Sequence, residues 1–136
     1  MPISKSIRDT KFAATKYQPA AAATNYTDAF DLEAAAPAAE PNLFECELVI
    51  PAMANHTDTT KTITHTLQDS ANGSSFANVD PLIQAQTPGV ASTGSVARTL
   101  KFRVPSTTRQ HIRIAQAVPS ADGDVTGDLT QFNLLF

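Results

Sequence analysis

From Ala29 onward the apolar residues of this chain recur at every second position, and that period constrains its fold more than any other feature. Phe30 and Leu32 alternate with Asp31 and Glu33, and Phe44, Cys46, Leu48 and Ile50 alternate with Glu45, Glu47 and Val49 until Pro51 ends the run. Ile63, His65 and Leu67 share one face of residues 61–67, with threonines on the other. Leu100, Phe102 and Val104 alternate with Lys101 and Arg103, whereas Ile112, Ile114 and Val118 alternate with His111, Arg113 and Ala115. At the end of the chain Phe132, Leu134 and Phe136 fall on one face. Successive side chains of a strand point to opposite faces, so each run reads as a half-buried strand.

Turn chemistry separates these runs. Asn72-Gly73 favours positive φ before Phe76, and Asp122-Gly123-Asp124 with Gly127 marks a turn before the last strand. Pro81, Pro88, Gly89 and Gly94 punctuate residues 77–95, where a short strand and a long loop are expected. Six to eight short strands with no amphipathic helix predict an all-β chain. The expected architecture is a jelly-roll-like antiparallel β-sandwich over residues 28–136.

Residues 1–27 lack that alternation. Their large apolar side chains, Ile3, Ile7, Phe12, Tyr17 and Tyr26, are irregularly spaced. Pro19, Pro37 and Pro41 interrupt the alanine-rich stretches at 20–23 and 34–39, which are too short for stable helix. Lys5, Arg8, Lys11 and Lys16 make this start basic, and residues 28–47 that follow are acidic. The expectation is an extended basic N-terminal arm over 1–27 that stands outside the core until a partner orders it.

A chain of 136 residues is long enough for one domain with a core. Its 17% charged residues fall below the roughly 25% typical of soluble domains, which points some of the surface toward protein. A net charge of −3 argues against a phosphate backbone as main partner. No apolar run approaches the roughly 20 residues that span a bilayer, and the first residues lack the apolar stretch of a signal peptide. A single cysteine, Cys46, forms no intrachain disulfide, so synthesis in the cytoplasm is expected. In that compartment the sequons at Asn25, Asn55 and Asn72 read as chance.

Catalytic chemistry finds little support. His56 lies in a polar Asn-His-Thr-Asp turn, His65 on the apolar face of a strand as a core imidazole, and His111 on an outward face. Cys46, between Glu45 and Glu47, reads as a buried small hydrophobe. Asp122, Asp124 and Asp128 lack the further ligands of a calcium loop, and no Gly-rich phosphate loop, paired Cys or His-x-x-x-His occurs. The expectation is a non-enzyme with no cofactor and no metal. The basic arm suits contact with a protein, along a sheet edge or an acidic groove.

The strand half carries a resemblance. The acidic entry Phe30 to Glu33, then Leu43-Phe44-Glu45-Cys46-Glu47-Leu48-Val49-Ile50, then Ile63-Thr64-His65-Thr66-Leu67-Gln68-Asp69-Ser70 running into Asn72-Gly73-Ser74-Ser75-Phe76, is followed by Phe102-Arg103-Val104-Pro105 and Arg109-Gln110-His111-Ile112-Arg113-Ile114. In this order and texture, residues 28–136 resemble the capsid cement, or decoration, proteins of tailed bacteriophages. The resemblance implies a jelly-roll structural protein without catalytic residues. Such a protein would sit on the outer surface of the virion, bind the assembled shell, and bridge and stabilise major capsid protein subunits.

Arg109 and Arg113 match a basic pair at the start of a late strand, and the long basic arm departs from the family. The expected partner-binding set is Ile3, Lys5, Ile7, Arg8, Lys11, Phe12, Lys16, Tyr17, Arg109 and Arg113. The expected partners are the major capsid protein and further copies of the chain, as a homodimer or homotrimer, without nucleic acid or membrane. The alternative is a receptor- or carbohydrate-binding jelly roll of a phage fibre or tail, for which the aromatic content of 7%, with no Trp, is low.

Overall fold

The computed structural model describes residues 8–32 and 45–135. Every regular element among them is a strand: β1 (Arg8–Tyr17), β2 (Thr24–Tyr26), β3 (Phe30–Asp31), β4 (Glu45–Ile50), β5 (Thr62–Ser70), β6 (Ala77–Asn78), β7 (Gln84–Pro88), β8 (Arg98–Phe102), β9 (His111–Ala117) and β10 (Leu129–Leu135). One sheet has the order β1-β10-β4-β8, and the other has β2-β9-β5-β6 with β3 added to β9 and β7 to β5. Every pairing is antiparallel.

Following the chain, β1 lies in the first sheet, β2 and β3 in the second, β4 in the first, β5 to β7 in the second, β8 in the first, β9 in the second and β10 in the first. This alternation, with the first strand beside the last, is the strand order of a jelly roll. The expected fold class therefore holds.

Alternation produces the core as expected. Cys46, Leu48 and Ile50 of β4, Ile63 and Leu67 of β5, Ile112 and Ile114 of β9, and Phe132 and Leu134 of β10 are all buried between the sheets. Each contributes roughly 1.5–3 kcal/mol by leaving water, apart from the smaller Cys46. Phe30 of one sheet stacks on Phe132 of the other, ring centroids 5.1 Å apart and planes 19° from parallel. That contact joins the two layers.

The N-terminal segment differs from its expected role. Residues 8–17 do not stand outside the core as an arm. They form β1, which pairs with β10 from Ala13↔Asn133 to Tyr17↔Leu129 after a register break between Arg8 and Ala13. Residues 24–26 form β2 on β9. The division into an arm over 1–27 and a domain over 28–136 therefore leaves two strands of the sandwich, β1 and β2, on the side of the arm.

The reason lies in side-chain size. The inward residues at the end of this segment are Ala14 and Gln18, and both are buried. An alanine and a glutamine at the buried positions leave no hydrophobic alternation to read there. Ile3, Lys5 and Ile7 lie outside the described residues, as do positions 33–44 and Phe136.

Candidate partner-binding surface

Buried polar groups fix one flank and one end of the sandwich. On the β1–β2 side Gln18 Nε2 lies 2.6 Å from Thr130 Oγ1 and 3.1 Å from His65 Nε2, and Gln116 Nε2 donates to the Tyr17 carbonyl at 2.9 Å. The Asn25 amide donates to the same carbonyl. These bonds close the corner between the sheets, which holds Tyr17 and Tyr26 at the surface with 56% and 42% of their area exposed.

His65 is the core imidazole expected from the sequence. Burial draws its pKa down to about 4; the Gln116 side chain opposes this shift and the Arg98 charge adds to it. The unfolded chain, with an ordinary value near 6.5, takes up a proton that the folded chain refuses. Stability is therefore highest above about pH 6.5 and falls by about 3 kcal/mol as pH drops toward 4. His65→Gln should flatten the unfolding midpoint over this window in a urea titration; an unchanged slope would show that the imidazole is not held neutral.

Cys46 is also as expected. Burial raises its pKa to about 12, with the Glu45 charge adding to the effect. At pH 8 the folded protein should resist iodoacetamide and label fully in denaturant; rapid labelling of native protein would place this thiol at the surface.

Three loops meet at the end where β4 leaves and β10 enters. His56 Nε2 donates to the Thr87 carbonyl at 2.8 Å, and its Nδ1 lies 2.8 Å from Asp122 Oδ2, with both side chains fully out of solvent. A Cβ on Gly123 would fall 2.0 Å from the Asn55 carbonyl oxygen, so only glycine permits this approach. No local spacing announces this pair, since Asp122 looks like an ordinary turn former. One imidazole nitrogen is bonded and the other lies against the Asp122 carboxylate, an arrangement that suits a tie between loops. The Asp122 and Asp124 carboxylates also accept bonds from their own turn, from the Gly123 N–H and from Thr126.

The opposite flank, between β7 and β8, is open. An apolar cavity of about 200 Å³ lies between the sheets there, lined by Leu48, Leu67, Ile83, Leu100, Phe102 and Ile114 among others. A second depression beside it is bounded by Pro88, Val90 and Val96. Leu82, Val90 and Val96 expose 56%, 44% and 74% of their area. In the described sheet β8 is an edge strand with β4 on one side.

The expected binding residues do not form one cluster. Arg8, Lys11 and Phe12 fall in β1, and Lys16 and Tyr17 at its exposed end, along the edge of the first sheet. Arg109 precedes β9 and is already matched: its Nη2 lies 2.8 Å from Asp69 Oδ1, and its backbone N–H donates to Asp69 Oδ2 at 2.8 Å. The Asp69 carboxylate holds the Arg109 pKa above its ordinary value.

Arg113 differs. Its guanidinium lies between two rings, 3.7 Å from the Tyr26 centroid and 3.9 Å from that of Phe76, and its Nε donates to Gln68 Oε1 at 3.0 Å. Burial under the rings draws its pKa down, with Tyr26 opposing. The sequence pointed to Arg113 but not to Tyr26, Phe76 or Gln68, because the three come from separate segments.

No protein-family model matches the chain, and no curated protein matches it. Among solved structures the chain is similar to a mitogen derived from Yersinia pseudotuberculosis, at 9% identity over 90% of this chain and 74% of that one, with a TM-score of 0.34. It is also similar to the naturally occurring empty particle, or top component, of cowpea mosaic virus, at 11% identity over 92% of this chain and 80% of that one, with a TM-score of 0.40. Likeness at this level carries no functional argument, and the jelly roll rests on its own strand order. Among the described residues no helix is long and apolar enough to cross a membrane.

Proposed function

We propose that this chain is a structural protein of a tailed-bacteriophage virion, made in the bacterial cytoplasm and seated on the outer surface of the capsid. There it binds the assembled shell and stabilises it by bridging major capsid protein subunits. It acts by adhesion and not as an enzyme, and needs no cofactor, nucleic acid or membrane.

The observation that carries this reading is the open β7–β8 flank. Leu82, Val90 and Val96 are exposed beside two apolar depressions and the edge of β8, a surface suited to another protein. Arg113 lies on the outer face of the second sheet between Tyr26 and Phe76, in register with Gln68 and beyond the stretch of β5 that pairs with β7, so one molecule offers a second surface. A bridge between subunits requires that arrangement.

Binding only the assembled lattice stabilises it by mass action. A standard interface buries about 1,600 Å² in total, and self-association as a homodimer or homotrimer on a capsid axis would multiply modest contacts. The residues ahead of β1, with Ile3, Lys5 and Ile7, would extend them.

Co-sedimentation tests the reading. The protein should pellet with purified assembled shells, remain in the supernatant with unassembled subunits, and raise the temperature at which the shells come apart. Equal binding to free subunits, or shells no more heat-resistant with the protein than without it, would remove the proposal.

Exposed Tyr17 and Tyr26 favour the second reading, a receptor- or carbohydrate-binding module of a fibre or tail. Binding to immobilised glycans without binding to shells would select it.

A further inference from the structure

We infer that Arg113 is a preformed receptor for a carboxylate, and that the partner protein docks an Asp or Glu side chain on it. The inference rests on the proposed shell-binding role and names the chemistry of one contact.

The geometry leaves the guanidinium one way to bind. Its two flat faces are covered by Tyr26 and Phe76, so no further ring can stack on it. Its Nε is taken by Gln68 Oε1. An arginine nitrogen only donates, so the Gln68 atom facing it is the oxygen, and the Gln68 NH₂ is the group that reaches Asn78 Oδ1 at 3.2 Å. The side chain is therefore fixed by two rings and an amide relay. What remains is the in-plane rim that carries Nη1 and Nη2, a fork that matches the two oxygens of a carboxylate.

Arg113 keeps this fork available within the molecule. Arg109, four residues earlier, shows the matched case on Asp69, whereas no carboxylate among the described residues lies within ion-pair distance of Arg113. Asp31, in register with His111 on the adjoining strand, accepts from the Gln110 amide, and beyond Arg113 toward the other end of β9 the side chains are uncharged. Ala115 and Ala117 of β9, Thr64 and Thr66 of β5 and Gln84 and Gln86 of β7 lie in register there. A face with one cation beside an uncharged stretch suits a protein surface that presents one carboxylate, and gives a polyanion such as a nucleic acid little to hold. The flanking rings also keep water from two sides of the contact, which strengthens it.

The test uses the full chain and purified assembled shells of the phage that encodes it. Arg113→Gln should weaken co-sedimentation at least about tenfold, as loss of a charged hydrogen bond predicts, and Arg113→Lys should fall between it and the wild type, because the charge stays but the fork is lost. The amine that Arg113→Lys introduces should couple to a shell Asp or Glu when carbodiimide is added, giving an amide that mass spectrometry locates. Shells bound equally by all three proteins would overturn the assignment and leave the shell-binding role intact. So would coupling through Lys16 or Lys101 with none at position 113, a result that does not depend on how far either substitution lowers the unfolding midpoint. Wild-type protein that fails to sediment with shells overturns both. Displacement of shells by sialyllactose, a carboxylate-bearing glycan, would transfer the fork to a sugar ligand and also overturn a protein carboxylate as its occupant.

Discussion

A chain that begins at Gln18 should fail to fold. Removing residues 1–17 takes away β1 and strips β10 of its partner along Leu129 to Asn133, on the side of the sheet where Phe132 and Leu134 carry the core. Ala14 leaves the core with it, and the exposed edge of β10 becomes a template for association. Net stability of a domain this size is only about 5–15 kcal/mol, and an entire core-lining strand is a large share of it. The truncated chain is expected to aggregate on gel filtration and to show no cooperative thermal transition in circular dichroism. A soluble monomer melting within a few degrees of the full chain would restore the reading of residues 1–27 as a detachable arm.

The second large effect belongs to Phe132. It is fully buried at the centre of β10, between β1 and β4, and stacks on Phe30 from the opposite sheet. Phe132→Ala loses the transfer free energy of the ring and leaves a void that close-packed neighbours fill only in part, for a cost of about 3–5 kcal/mol. Val96, three-quarters exposed, supplies the contrast: Val96→Ala should stay within about 0.5 kcal/mol of the wild type. Urea denaturation of both variants measures the difference. A Phe132→Ala midpoint close to that of Val96→Ala would mean that the inward face of β10 has been assigned to the wrong side.

What the sequence revealed follows from side-chain size. β4, β5, β9 and β10 were legible because their inward positions hold Leu, Ile, Val or Phe, and β8 because Leu100 and Phe102 keep the same period. β1 was not, since the buried positions of this stretch are Ala14 within it and Gln18 just after it. β7 is the short strand expected within residues 77–95, paired with β5 over five residues, but with Ala85 and Thr87 inward beside Gln84 and Gln86 no apolar period marked its place. The register break in β1 further blurs its period.

The candidate site was legible only in part. Arg109 and Arg113 stood out together, yet their surroundings separate them. Arg109 finds Asp69 at a sequence distance of 40, and Arg113 finds Tyr26 and Phe76 on two other segments. No local spacing encodes either meeting. The apolar β7–β8 flank was equally hidden, because Leu82, Val90 and Val96 sit in irregular chain where no period distinguishes an exposed residue from a buried one.

Electron cryomicroscopy of assembled shells incubated with the protein tests the central claim most directly. The account predicts extra density on the outer surface, shaped as a two-layer sandwich, touching two capsid subunits through the β7–β8 flank and the Arg113 face. Density confined to a fibre or tail tip, or shells that carry none at saturating protein, would contradict it.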